Sequence, residues 1–438
     1  MKTRTDLFIV LMNWQRGASM FKGISCKYLP ACAGVVTLVV WPHLAGAESV
    51  LHPFVGSPSD GAFPFAGVTS DGAGNLYGTT TSGGADNLGA VFKVAPDGTE
   101  TLLHSFRGGT DGAGPYGRLI LDKKGNLYGT TGAGGVVSEQ CKSGCGTVFE
   151  LAPEGKETVL YAFRGGSDGS GPVGLIIDKQ GNFYGATDFG GNTNCRSTSG
   201  CGTVFKLAAD GGETVLYDFC SLGGCTDGSH PVAGLVSDEV GNLYGTTQLG
   251  GIVQGDICQY DGCGIVYELS PDGTETVLHA FAGDVDGNRP LADLSMDKAG
   301  NLYGTTQLGG VPNAGTVFKV TPDGTESVLY SFCATMNCPD GIYPYAGVIL
   351  DKGGNLYGTT ESGGPQGYGT VFRLAADRTE TVLHAFGDHS DGAYPEADLI
   401  ADSHGNLYGT TTEGGSNESW SCDGGPSTGC GTLFTLKK

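Results

Sequence analysis

The sequence predicts an all-β chain folded as a seven-bladed β-propeller of four-stranded blades, closed by its own N-terminal strand. Three observations carry that expectation. The string GNLYGTT at residues 74–80 returns at 125–131, at 181–187 as GNFYGAT, and at 241–247, 300–306, 354–360 and 405–411, with 51 to 60 residues between copies. A fixed period of that size marks one supersecondary unit repeated in tandem. Each period also holds four short strand-like runs divided by tight-turn signals, the description of one propeller blade. Finally, one strand is left over at the start of the repeat region and one is missing at its end.

The second period shows how each element is read. Residues 119–122 form a short apolar run, and 126–131 follow after the turn Asp122-Lys123-Lys124-Gly125. This D-x-x-G-N turn, seen again at 178–182 and 351–355, puts glycine where a tight hairpin needs positive φ. Residues 147–151 make a third strand and 158–163 a fourth. Between those two strands three other periods carry P-D-G-T-E turns, at 96–100, 271–275 and 322–326. Third strands number seven, from 90–94 to 432–436. Fourth strands of the V-L-[HY]-x-F type also number seven, beginning at 49–54, before any first strand. Residues 49–54 are therefore expected to complete the blade that ends at Leu436, which removes two exposed sheet edges. Seven blades follow by counting. Alternating chain direction then puts the short turns on one face, and the two-to-three loops and inter-blade connections on the other. Binding tends to sit on loops held by a rigid scaffold, so the second face is the expected functional one.

Residues 1–47 stand outside the repeat. Lys22 and Lys27 precede the apolar run 32–41, and Ala45-Gly46-Ala47 supplies the small residues of a signal-peptidase site. A secretory signal cleaved after Ala47 is expected, with Met20 an alternative start. No transmembrane segment is expected in the mature chain. Twelve of the 14 cysteines lie after this region in six close pairs. They are Cys141 with Cys145, Cys195 with Cys201, Cys220 with Cys225, Cys258 with Cys263, Cys333 with Cys338, and Cys422 with Cys430. Even numbers in local pairs after a signal read as disulfides, and all six fall on the loop-bearing face. Closing such small loops gains only ~2 kcal/mol each, so the bridges stiffen loops and do not hold the fold together. Residues 48–438 carry 19 Lys/Arg against 45 Asp/Glu, a balance of 19 − 45 = −26, which excludes binding to nucleic acid phosphates.

The strings GNLYGTT, the following GG, GTVFKL and PDGTETVLHSF together resemble the GloVer tandem repeat, a family of exported bacterial proteins with varied surface-anchoring signals. The resemblance spans all seven periods and implies secretion or surface display, with no activity or functional residues attached to it. The P-x-x-G-L-x-x-D-x-x-G-N-L-Y pattern is also similar to NHL and lyase-type propeller repeats.

Most repeated polar residues read as framework. The D-G-x-x-P aspartates (Asp60, Asp111, Asp168, Asp227, Asp286, Asp340, Asp391) read as turn residues, not a calcium ring. His52, His104, His279 and His384 share a fourth-strand position with Tyr161, Tyr217 and Tyr330, which suits packing better than catalysis. Tyr77 and its six equivalents read as inter-blade core. Departures from the repeat carry more information. Where Gly67, Gly174, Gly234 and Gly347 open the innermost strand, three blades carry Arg118, Asp293 and Asp398 instead. Nearby exceptions are Tyr116, His230, Arg289, Tyr343 and Glu396 around the blade-opening proline, and Trp420 in the longest stapled loop. These nine are the candidate ligand-binding residues, at the channel mouth. No catalytic set, metal site or cofactor is expected. The expected function is an exported, monomeric binding or interaction module, at the cell surface or outside the cell, for an extracellular glycan, small molecule or protein. The alternatives are a propeller-type lyase or hydrolase and a purely structural surface protein.

Overall fold

The computed structural model describes residues 48–252, 258, 261–387, 390–415, 422 and 429–437. The expected signal region and Trp420 lie outside the described residues. Within them the chain forms seven antiparallel four-stranded blades in a ring. Blade 2 is representative: Ile120–Leu121, Leu127–Ala133, Thr147–Leu151 and Glu157–Ala162 from the axis outward. Its inner strand is only two residues long by backbone pairing, shorter than the apolar run suggests. Fourth strands begin one residue earlier than expected, at the glutamate of each turn.

The ring closes as counted. Glu48–Pro53 pairs antiparallel with Thr432–Leu436, and the last blade reads Glu48–Pro53, Thr432–Leu436, Leu407–Thr411, Ile400–Ala401 from outside in. The closing strand carries Phe54 into the core at 2% exposure.

The core is seven separate inter-blade clusters, one per junction. Each is centred on an edge-to-face aromatic pair between the residue just after a fourth strand and a third-strand ring of the next blade. The pairs are Phe106–Phe149, Phe163–Phe205, Phe219–Tyr267, Phe281–Phe318, Phe332–Phe372, Phe386–Phe434 and, across the closure, Phe54–Phe92, all with centroids 5.0 to 5.2 Å apart. This is the preferred geometry for such rings. The repeat glycine in LYGT follows from it: a Cβ at Gly78 would lie 2.5 Å from the Phe92 ring. Side chains are excluded there because the neighbouring strand's aromatic fills the space.

The hairpin consensus has an equally local cause. Asp71 Oδ1 accepts the N–H groups of Ala73 and Asn75, and its Oδ2 accepts the Asn75 amide (2.7 Å) and the Tyr77 hydroxyl (3.2 Å). Asp351, Asn355 and Tyr357 repeat the same pattern, with Gly353 in place of Ala73. The repeated tyrosines thus combine the expected packing against the inter-blade clusters with a hydroxyl tied to the turn.

Two stability predictions follow from these contacts. Deleting residues 48–54 removes the outer strand of blade 7 and the Phe54–Phe92 pair, so the melting temperature drops markedly; an unchanged value would mean another segment closes the ring. Tyr267 stands where six blades have Phe, and its fully buried hydroxyl has no hydrogen-bond partner among the described residues. Tyr267→Phe removes that unsatisfied group and is expected to raise unfolding free energy by about 1–2 kcal/mol, read by denaturant titration.

Candidate functional site in the central channel

The first strand of each blade runs from the loop-bearing face toward the hairpin face along the central axis. Alternation then sends the residues one, three and five positions after the blade-opening proline toward the channel in most blades. Nearest the loop-bearing face are Phe65, Tyr116, Val232, Leu291, Tyr345 and Glu396. Next come Gly67, Arg118, Gly174, Gly234, Asp293 and Asp398, and below them Thr69, Ile120, Ile176, Val236, Ser295 and Ile349. All of them line one cavity of about 490 Å³, within the range of small-molecule sites.

The structure brings together five of the nine candidates: Tyr116, Arg118, Asp293, Glu396 and Asp398. The three departures from glycine, distant in sequence, meet at one level of the channel. Asp293 accepts the Gly234 N–H (2.5 Å) and Asp398 the Gly347 N–H (2.6 Å). Both acids feel the Arg118 guanidinium. They are not a fully solvated rim: both are half-buried in the channel wall. Burial pushes both carboxyls up, and the Asp293 charge helps take Asp398 to about 7 in spite of Arg118. Glycine in the neighbouring blades makes room for this. A Cβ at Gly67 would lie 2.7 Å from the Asp398 carbonyl oxygen, and one at Gly347 would lie 2.5 Å from that of Asp293.

Above this level, Phe65 and Tyr116 stack at 5.7 Å, and the Tyr116 and Tyr345 hydroxyls are hydrogen-bond partners from blades 2 and 6. Burial, then Glu361 and Glu413, pushes Glu396 to about 8. At neutral pH it is mainly a neutral hydrogen-bond donor. Tyr345 and Glu361 were missed in the sequence: Tyr345 lies between ordinary Pro344 and Ala346 and breaks no glycine position.

His230, Arg289 and Tyr343 do not line the cavity. They precede the blade-opening proline at φ 57°, 58° and 58°, a position shared by Phe63, Gly114, Gly171 and Tyr394. Positive φ is uncommon outside glycine, and here it is fixed from both sides. The N–H of His230 donates to the Cys201 carbonyl, and the His230 carbonyl accepts from the Gln248 N–H. His230 Nδ1 lies 2.9 Å from Asp188 Oδ1.

The loop-bearing face is stapled as expected. Disulfides join Cys141 to Cys145, Cys195 to Cys201 and Cys220 to Cys225. Three more join Cys258 to Cys263, Cys333 to Cys338 and Cys422 to Cys430. None of these twelve cysteines lines the cavity, so their part is to hold the loops around the mouth. The second cysteine of a two-to-three loop pair is the more deeply placed: Cys145, Cys201 and Cys263 are fully buried and Cys430 is 2% exposed, each beside the start of a third strand. In the two inter-blade pairs Cys225 and Cys338 adopt positive φ, which turns the short loop back on itself.

Arg118 is the only cation among the described residues lining the cavity; it and both acids are half-buried, so removing it costs up to about 3 kcal/mol, the low end for breaking a buried pair. Arg118→Met is expected to destabilise by that order at pH 8. A carboxyl whose folded pKa is raised contributes stability that is complete below its unfolded value, near 3.8, and lost as pH rises through about 7 for Asp398. The variant's deficit should therefore shrink at pH 5. Chemical unfolding at both pH values checks this, and an equal deficit would mean that Arg118 does not offset the two acids.

Two stretches of the chain, residues 38–258 and 254–438, match the Gloeobacter/Verrucomicrobia repeat. No curated protein matches the sequence. Among solved structures, a streptogramin B lyase superposes with a TM-score of 0.55 at 14% identity, covering 89% of this chain and 96% of that one. Virginiamycin B lyase from Staphylococcus aureus gives 0.54 at 11%, covering 90% and 98%. The extracellular domain of a putative one-component system from B. thetaiotaomicron gives 0.52 at 10%, covering 88% of this chain and 39% of that one. At such identities the likeness is one of fold. Because the repeat match spans all seven blades, the chain belongs to the Gloeobacter/Verrucomicrobia repeat family.

Proposed function

We propose that the chain is an exported, monomeric binding module that takes a neutral, polyhydroxylated ligand, such as a sugar unit of an extracellular glycan, in its central channel. The observation that carries this reading is the convergence of Tyr116, Arg118, Asp293, Glu396 and Asp398, drawn from three blades, on one cavity. Scattered tolerance of a surface position gives no reason for such convergence.

The chemistry of the lining sets the ligand class. Burial holds the carboxyls of Asp293, Asp398 and Glu396 above the usual range, Asp398 at about 7 and Glu396 at about 8, and Arg118 faces the two aspartates. The channel is thus close to electrically neutral inside a strongly acidic chain. Phe65, Tyr116 and Tyr345 supply aromatic faces, which suit the C–H side of a sugar ring. The carboxyls and hydroxyls donate and accept hydrogen bonds around it.

Export rests on residues 1–47 as a secretory signal and on the six disulfides, which form in oxidising compartments. Among the described residues no helix is long and apolar enough to cross a membrane.

A second reading has its own support. Two neighbouring acids, both raised by burial, Asp398 to about 7, and both facing Arg118, have the form of a pair that shares and passes a proton. That arrangement fits a lyase or hydrolase acting on the same ligand class. Thermal shift of the purified, disulfide-intact protein against neutral, anionic and cationic saccharides tests both readings. The binding reading expects stabilisation by neutral sugars, lost in Tyr345→Phe and Glu396→Gln, with the sugars recovered intact. Cleaved sugars, with cleavage abolished in Asp398→Asn, would favour the enzyme. No response to any class would leave the channel residues as a structural plug and overturn both.

A further inference from the structure

Each blade junction carries a second polar cluster at its outer strands, away from the channel. The fourth-strand His or Tyr meets the D-G-x-x-P aspartate that follows it: His52–Asp60 at 3.1 Å, Tyr217–Asp227 at 2.9 Å, Tyr330–Asp340 at 2.8 Å and His384–Asp391 at 3.0 Å. The glutamate opening the next blade's fourth strand sits beside this pair. Its Oε1 is buried without a hydrogen-bond partner at all seven junctions: Glu48, Glu100, Glu157, Glu213, Glu275, Glu326 and Glu380. A buried carboxylate oxygen without a donor is costly, so it calls for a proton or a cation.

At two junctions the three side chains come together as a ligand set. The donor atoms of Glu48, His384 and Asp391 all lie within 4.8 Å of one another, and so do those of His52, Asp60 and Glu100. We infer that these two junctions are binding sites for a first-row divalent cation of the zinc class, each offering one imidazole and two carboxylates. Tetrahedral zinc with bonds of about 2.0–2.1 Å holds its ligand atoms roughly 3.3 Å apart. The His–Asp separations of 3.1 and 3.0 Å need to open by only a few tenths of an ångström to admit the ion. Three protein ligands leave a fourth position for water. The nitrogen donor separates this set from the all-oxygen shells that calcium and magnesium prefer.

The imidazoles are already oriented. His52 packs edge-on against Phe54 at 4.8 Å, and His384 against Phe386 at 4.7 Å. Asp60 is fixed by the N–H groups of Val55 and Gly61. Both sites also share one feature of the topology: Glu48 and His52 lie on the strand that closes the ring. One ion ties its first residue, Glu48, to blade 6, and the other ties its fifth, His52, to blade 1. Metal binding is thereby coupled to closure, and a cation bound only by the closed ring stabilises it by mass action.

The repeat itself supplies the test variants. Tyr occupies the histidine position in blades 2, 3 and 5 and donates to the same aspartate. His52→Tyr and His384→Tyr therefore keep the junction and the fold while removing the nitrogen ligand. The full-length protein, stripped with EDTA at pH 7.5, is titrated with Zn²⁺ by calorimetry and with Co²⁺ by visible absorption. Two ions per chain and a raised melting temperature are expected. Each single variant should bind one ion, and the double variant none, with circular dichroism unchanged. His104–Asp111 and His279–Asp286, at 3.2 and 3.4 Å, have no third ligand within range among the described residues and serve as internal controls. No binding, four ions per chain, or undiminished binding in the double variant would each overturn the assignment.

Discussion

The structure depends on one packing constraint repeated seven times: an aromatic ring ending each blade lies edge-on against an aromatic ring in the next, and that second ring occupies the space over a glycine of its own blade's second strand. Phe106 on Phe149 over Gly129 is one instance, with a Cβ at Gly129 placed 2.7 Å from the Phe149 ring. The contact runs from blade to blade and never within a shared central core. No blade can bury its aromatic face alone, so the ring is stable only when every junction has a partner. The chain supplies the seventh partner by bringing Phe54 from its N-terminal side to Phe92.

That arrangement explains why the most conspicuous string in the sequence has little to do with function. In GNLYGTT the asparagine and tyrosine hydrogen-bond to the turn aspartate, the second glycine makes room for the third-strand aromatic, and in five of the seven blades the last threonine pairs with the first threonine of the third strand. Thr131 and Thr147 meet through their hydroxyls at 2.9 Å. Every letter is spent on the frame. In the inner strands, Val68, Leu119 and their equivalents join the inter-blade clusters, while the neighbouring positions that face the axis have no comparable duty. Three of seven could therefore exchange glycine for a charged residue without disturbing a junction.

Blade number and strand order were legible in the sequence because each depends on contacts within a blade or between consecutive blades, and ring closure, which pairs residues 48–53 with 432–436, because the strand count leaves one strand over and one missing. The cysteine pairing was legible for the same reason: Cys141 and Cys145, like the other five pairs, are near neighbours in one loop. The candidate site was legible only in part. Arg118, Asp293 and Asp398 stood out as departures from the repeat. Their convergence did not, since it depends on the closed ring bringing blades 2, 5 and 7 to one axis. His230, Arg289 and Tyr343 departed from the repeat just as visibly, yet they occupy a left-handed backbone position outside the cavity. They lie two positions before the channel-facing residues, and the positive φ ahead of the proline breaks the alternation that would otherwise turn them toward the axis. The histidines were read as packing, and packing they do. What spacing did not show was the glutamate across the junction, such as Glu100 beside His52, which lies in the following blade.

The two polar systems differ in what they ask of the fold. At the rim, the cluster recurs at every junction, with Tyr and His exchanging freely, so its common element is the Asp and Glu that the blade interface encloses. In the channel, each charged residue occurs once and its neighbours are glycine. A feature imposed by the repeat should appear seven times; one that appears once, in residues that meet only after closure, answers to something other than the frame. Burying Arg118 with two acids also carries a desolvation cost that four of the seven blades avoid with glycine. Retaining charge where the fold accepts glycine is the physical reason to look for a ligand on the axis, and not on the more conspicuous surface of the repeats.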